Sequence, residues 1–138
     1  MVTGRIPRDN DFEQIPTSMQ VEVNGSLEQD QMLDDRSIVL DTEKGLVLLC
    51  GCCHAGIINT LHYVRTISQQ KIHAVIGGIH LVDAKFTRID STLLELQNNF
   101  QPEEMYFNHC TGHKAIVALT NAFGEQVRPF VAGEALEF

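Results

Sequence analysis

The spacing of apolar residues changes character along the chain. Through residue 36 it is sparse and irregular. Pro7, Pro16 and Asn24-Gly25 interrupt it, and only Met19–Val23 alternates as a strand would. Order begins at Ser37-Ile-Val-Leu-Asp41, which is followed by the polar turn Thr42-Glu-Lys-Gly45 and by Leu46-Val-Leu-Leu-Cys50, a pattern that predicts a β-hairpin. The second run is apolar throughout, as a strand covered on both faces is. The period then changes, and Ile57, Ile58, Leu61, Val64 and Ile67 recur at helical spacing.

The alternation continues to the end. Lys71–Ile76 predicts a strand. Thr87–Phe100 predicts a helix, with Ile89, Leu93, Leu94 and Leu96 as its apolar stripe and Pro102 as its stop. Glu104–Asn108 predicts a short strand and Lys114–Phe123 a helix capped by Gly124. Val127–Val131 and Ala135–Phe138 predict edge strands. The expected organisation is an irregular arm over residues 1–36 and one α/β unit over 37–138. Strands alternating with helices imply a largely parallel sheet with right-handed crossovers.

Composition narrows the function classes. Hydrophobic residues make up 43% and charged residues 20% of the 138, a globular rather than a disordered balance. A formal net charge of −8 argues against nucleic acid, whose phosphates require a clustered basic surface. No apolar run approaches the roughly 18–20 residues that span a bilayer. The first residues lack the apolar core of a secretory signal, so a soluble cytoplasmic protein without a membrane partner is expected. In that compartment the four cysteines stay reduced and read as core residues, ligands or reactive thiols.

Three of the six histidines share one position in this framework. His54 follows the strand ending at Cys50, His80 the strand ending at Ile76, and His109 the strand ending at Asn108. The carboxyl ends of parallel strands form one edge, where α/β proteins bind ligands. Adjacent strands lie about 4.8 Å apart, close enough for their loops to share an ion. Three neutral imidazoles suit zinc, leaving a position for water. Any one of them alone would read as an ordinary loop residue; the repetition points to ligation. His62 lies within a helix and His73 within a strand, and both read as structural. His113 opens a helix beside His109, as a supporting or substrate-facing residue.

Two other readings start from the cysteines. Cys50-Gly-Cys-Cys53 stands between a strand and a helix, the setting of a thiol redox motif. Cys50, Cys53 and His54 could instead hold a structural zinc ion, although neighbouring side chains diverge in extended backbone. Arg5 and Arg8 could bind an anion, but arginines in an arm are ordinarily solvated.

The segments Asp34-Asp35, Lys44-Gly-Leu-Val47, Gly51-Cys-Cys-His-Ala-Gly-Ile57 with Asn59, Gly77-Gly-Ile-His-Leu81 and His109-Cys-Thr-Gly112 together resemble one family. It is the dihydropterin-ribofuranosylaminobenzene-phosphate synthase-like branch of the metallo-β-lactamase superfamily. Gly4-Arg-Ile-Pro-Arg8 with Phe12-Glu13 resembles the same branch, so the likeness spans nearly the whole chain.

The resemblance implies an αββα sandwich whose dinuclear metal site, usually zinc, activates a bridging water. It carries His54 over as a ligand of the first metal and His109 as the late ligand of the second. His80 falls where many relatives place a bridging aspartate, so it would ligate directly or contact substrate. Cys110 follows a ligand position and is expected to pack. The family's early His-x-His-x-Asp-His motif is absent, since no two histidines here are separated by one residue.

The expected fold is therefore the C-terminal half of a metallo-β-lactamase sandwich, a mixed sheet with helices on one face. The expected function is a metal-dependent hydrolase-type half-domain that supplies late ligands to a dinuclear zinc site and is incomplete or inactive alone. The alternative is a non-enzymatic subunit or the partner half of a split enzyme. The expected partners are a small, phosphorylated substrate and either a second copy or a complementing N-terminal half.

Overall fold

A five-stranded sheet carries the structure, a computed structural model that describes residues 1–138. Ahead of it, β1 (Gln20–Val23) and β2 (Ser26–Gln29) form a separate exposed hairpin. Its tight turn uses Asn24 and Gly25, both at positive φ, as a two-residue hairpin turn requires. The main sheet has β3 (Ser37–Thr42) antiparallel to β4 (Gly45–Cys50). Then β5 (Ile72–Gly77), β6 (Glu104–Phe107) and β7 (Val127–Pro129) each run parallel to the strand before. The strands lie side by side in chain order.

Helices fill each parallel connection. These are α1 (Ile57–Ile67), α2 (Phe86–Glu95) and α3 (His113–Phe123). The last turn of α2 widens into a π-type turn over Leu96–Phe100, and Gln101 in left-handed backbone with Pro102 after it ends the run. Beneath the helices lies the main core. Leu48, Val75, Met105 and Phe107 from the sheet meet Ile57, Ile58, Leu61 and Val64 of α1, Ile89 and Leu96 of the second crossover, and Leu119 of α3. Burying a large aliphatic side chain stabilises by about 1.5–3 kcal/mol, so this layer dominates the fold. Val39, on β3, joins the same core.

The opposite face is a smaller cluster of Val47, Ala74, Ile76 and Tyr106. The expected edge strand over residues 135–138 does not form; Leu136 and Phe138 instead lie on this second face with Phe130. Phe138 meets Tyr106 and His73 edge to face, at ring-centroid distances of 6.3 and 5.8 Å. Covering apolar area therefore wins over adding a ladder at the edge. The strand expected over Val127–Val131 is correspondingly short, with Pro129 as its last residue. Ile38 and Leu40, on the same face of β3, stay exposed at 43% and 41%.

The residues before Ser37 are tied to the sheet and to α1. Val2 bridges Ile38, and the Thr3 amide donates to the Ser37 carbonyl at 2.8 Å. Glu13, 1% exposed, accepts from the amides of Ile58 at 2.9 Å and Asn59 at 2.8 Å, capping α1 from across the chain. Asn10 Nδ2 donates to the same carboxylate at 2.8 Å. Asn59 Oδ1 in turn accepts from the amides of Asp9 and Asn10 at 3.0 and 3.2 Å. Gly56, at φ +94°, leaves the room this cap needs, for a Cβ there would fall 2.2 Å from the Glu13 carboxyl carbon. Burial raises the Glu13 carboxyl above its ordinary value, against the lowering by its amide donors. Glu13→Ala strands the amides of Ile58 and Asn59 and is expected to lower stability by about 2–4 kcal/mol in denaturant unfolding. An unchanged unfolding midpoint would mean that this cap contributes nothing to the cooperative unit.

Candidate metal centre at the carboxyl edge of the sheet

Three loops leave the carboxyl ends of β4, β5 and β6: residues 51–56, 78–85 and 108–112. Their strands are adjacent and parallel, so the loops start from one edge. Main-chain hydrogen bonds then lock the three together. The Gly78 amide donates to the Gly51 carbonyl at 3.0 Å, the Asn108 amide to Gly77 at 3.2 Å, and the Val82 amide to Cys110 at 3.0 Å. The Ile79 amide donates to Thr111 Oγ1 at 3.2 Å. Backbone groups that would otherwise lie unpaired near the surface are used up in positioning the loops.

These loops also concentrate unusual backbone. Of the six non-glycine residues at positive φ, three lie here: Cys53 at 57°, His80 at 49° and His109 at 51°. Such conformations cost of order 1–3 kcal/mol each and tend to cluster at functional sites.

The histidines separate into a pair and a single residue. The rings of His54 and His80 meet edge to face with centroids 4.6 Å apart. His80 Nδ1 is buried and has no hydrogen-bond partner. Burial, and after it the neighbouring His54 and Arg88, lower the His80 pKa, while Asp83 and Asp35 act the other way. The balance keeps its imidazole in the neutral form, the one that coordinates cations. Asp35 Oδ2 accepts from the Ala55 amide at 2.8 Å and so fixes the turn that carries His54.

His109 keeps other company. Its Nε2 lies 3.1 Å from Cys52 Sγ, and the ligand atoms of Cys52, His109 and Cys110 all lie within 4.8 Å of one another. Cys110, which the sequence places as a packing residue, is half-buried, and its thiol donates to the Cys52 carbonyl at 3.2 Å. Burial, together with the neighbouring Cys52 thiol, pushes the Cys110 pKa up to about 11.

The other candidates fall elsewhere. His62 meets Phe100 edge to face with ring centroids 4.9 Å apart, and His73 Nδ1 meets Glu103 Oε2 at 2.7 Å. Cys53 is fully buried, and its hydrogen bond with Cys50, then burial, raise its pKa well above the usual thiol value. A buried thiol shifted in this direction is a poor nucleophile, so Cys53 would not be the attacking thiol of a Cys50–Cys53 pair. The cysteine and histidine cluster that the fold assembles contains neither Cys50 nor Cys53. Arg8 Nη1 donates to the Gln31 carbonyl at 2.7 Å within the arm.

Sequence reasoning missed Arg88. It lines a cavity of about 540 Å³ beside His80, between residues 14–17 of the arm and the start of α2. Its Nη1 donates to the Gln14 carbonyl at 3.2 Å, and burial lowers its pKa. No motif marks it, because the cavity depends on how the arm crosses α2.

Comparison with other proteins places this geometry. A solved structure of a metal-dependent hydrolase of the β-lactamase superfamily superposes with a TM-score of 0.88 and 29% identity, covering 99% of this chain and 52% of the other. This chain belongs to the metallo-β-lactamase superfamily. It is 36% identical over 129 residues to the 7,8-dihydropterin-6-methyl-4-(β-D-ribofuranosyl)-aminobenzene-5′-phosphate synthase of Methanocaldococcus jannaschii, covering 92% of this chain and 44% of that enzyme. An uncharacterized protein of the same organism is 32% identical over 135 residues, with 96% and 46% covered. The superfamily chain thus spans about half the length of the relatives it matches. No family model matches the sequence.

Proposed function

We propose that this chain furnishes one side of a hydrolase-type dinuclear zinc centre, with His54, His80 and His109 as its ligands. The observation that carries the reading is the His54–His80 ring contact at the carboxyl edge, with His80 Nδ1 buried and unpartnered. An orphaned buried nitrogen costs about 1–3 kcal/mol, which a coordinated cation would recover. The similarity to a metal-dependent hydrolase supports a metal in general. When bound, a divalent ion supplies Lewis acidity and brings the pKa of coordinated water towards neutrality.

The protein's own contribution is placement. Main-chain bonds between the loops set the spacing of the imidazoles, and burial holds His80 neutral. Arg88 and Lys85 line the neighbouring cavity, an arrangement suited to a small anionic substrate. The related synthase is named for a 5′-phosphate product, which supports a phosphorylated small molecule as substrate here. With no His-x-His-x-Asp-His motif among these residues, the ligand set is partial, and the isolated chain binds zinc weakly and hydrolyses little or nothing. A cytoplasmic setting keeps its thiols reduced.

Calorimetric titration with zinc at neutral pH tests the ligands. The His54→Ala/His109→Ala variant is expected to lose at least about tenfold in affinity. Equal affinity in wild type and variant would sink the assignment.

The same reading includes a protein partner, a second copy or a chain carrying the missing ligands. Ile38 and Leu40 are the exposed apolar positions of the sheet face it would cover. Sedimentation at rising concentration is expected to reveal self-association; a monomer throughout, with no change on adding the complementary half, would remove this part.

A further inference from the structure

We propose that Cys52, His109 and Cys110 form a zinc site of two thiolates and one imidazole. This goes beyond the all-histidine reading: it shares His109 with it but needs neither His54 nor His80.

The geometry is close to what the ion requires. A tetrahedral zinc, with bonds of about 2.3 Å to sulfur and about 2.0–2.1 Å to nitrogen, holds its ligand atoms roughly 3.5–3.8 Å apart. Here the three ligand atoms lie within 4.8 Å of one another, with Cys52 Sγ and His109 Nε2 already at 3.1 Å. Small side-chain rotations, drawing the wider pairs in and letting Cys52 and His109 part slightly, would reach that geometry without moving the backbone. The loops of Cys52 and Cys110 are joined through the Cys110 thiol and the Cys52 carbonyl, and through Gly78, whose amide bonds Gly51.

Gly78 is the second sign of a built site. A Cβ at this position would lie 2.7 Å from Cys110 Sγ and 3.4 Å from His109 Cδ2. Any other residue would press on the Cys110 thiol and on the Gly51 carbonyl, 2.8 Å away, while only touching the His109 ring. The left-handed backbone of His109, at φ 51°, stands beside that glycine.

The chemistry of the set selects the ion. Two thiolates and a neutral imidazole favour a thiophilic cation over magnesium or calcium, and they balance the charge of a divalent one. Cys52 is half-buried and His109 exposed, so an ion can enter from solvent and keep a fourth position open. Three protein ligands with an open fourth position are the pattern of catalytic rather than structural zinc, and a Cys₂His set is among those known to serve.

Anaerobic titration of the full chain with cobalt(II), a spectroscopic stand-in for zinc, tests the proposal. Wild type and His54→Ala/His80→Ala are both expected to develop a sulfur-to-cobalt charge-transfer band. Cys52→Ser/Cys110→Ser, checked for retained fold by circular dichroism, is expected to lose it, with at least about tenfold weaker binding. Zinc should also shield Cys52 and Cys110 from alkylation, read by peptide mass spectrometry, while leaving the reactivity of Cys50 unchanged. Cobalt binding without the band, or a band that survives in Cys52→Ser/Cys110→Ser, overturns the thiolate site and leaves the histidine reading standing. Loss of zinc affinity confined to the His54 and His80 variant would likewise support the histidine pair and contradict the thiolate set.

Discussion

Parallel pairing of β4, β5 and β6 is the constraint on which everything at the site depends. Because Leu48–Cys50 pairs with Val75–Gly77, and Ala74–Gly77 with Glu104–Phe107, the three strands end within a residue or two of one another. Each chain exit then falls on the same edge, and hydrogen bonds between the loops convert that coincidence into fixed geometry. A shift of register by one residue would turn Val75 and Met105 out of the core, so the packing that holds the sheet also holds the site. The arm serves the same edge from outside. Glu13 caps α1 directly after the loop that carries His54, and Asp35 holds the Ala55 amide within that loop.

The edge has two chemical halves. His54 and His80 form a pure imidazole pair in ring contact, while His109 sits with two sulfurs. Neutral imidazole and thiolate differ in charge and softness, so the two groups need not hold one ion in the same way. Their placement on one edge fits a superfamily of metal-dependent hydrolases, and the cavity lined by Arg88 lies beside His80 of that edge.

Much of this was legible in the sequence, for identifiable reasons. The β3–β4 hairpin and the three crossover helices follow from period and turn chemistry, and the common placement of His54, His80 and His109 after strands follows from the alternation itself. Long-range contacts were not legible. Nothing local marks Leu136 and Phe138 as cover for the second sheet face, since a short apolar run reads equally well as an edge strand. Cys52 looked like one of several loop thiols until the β6 loop brought His109 to 3.1 Å from it. Arg88 was silent for the same reason, because its cavity is closed by the arm from 74 residues away.

Metal binding at this edge is the property from which the proposed chemistry follows. Crystals of the zinc-loaded chain, with diffraction recorded on either side of the zinc absorption edge, would locate bound ions directly. Anomalous peaks are predicted among the loops after β4, β5 and β6, within coordination distance of His54, His80 or His109. Peaks found only at His62, His73 or His113, or none at all under saturating zinc, would contradict it.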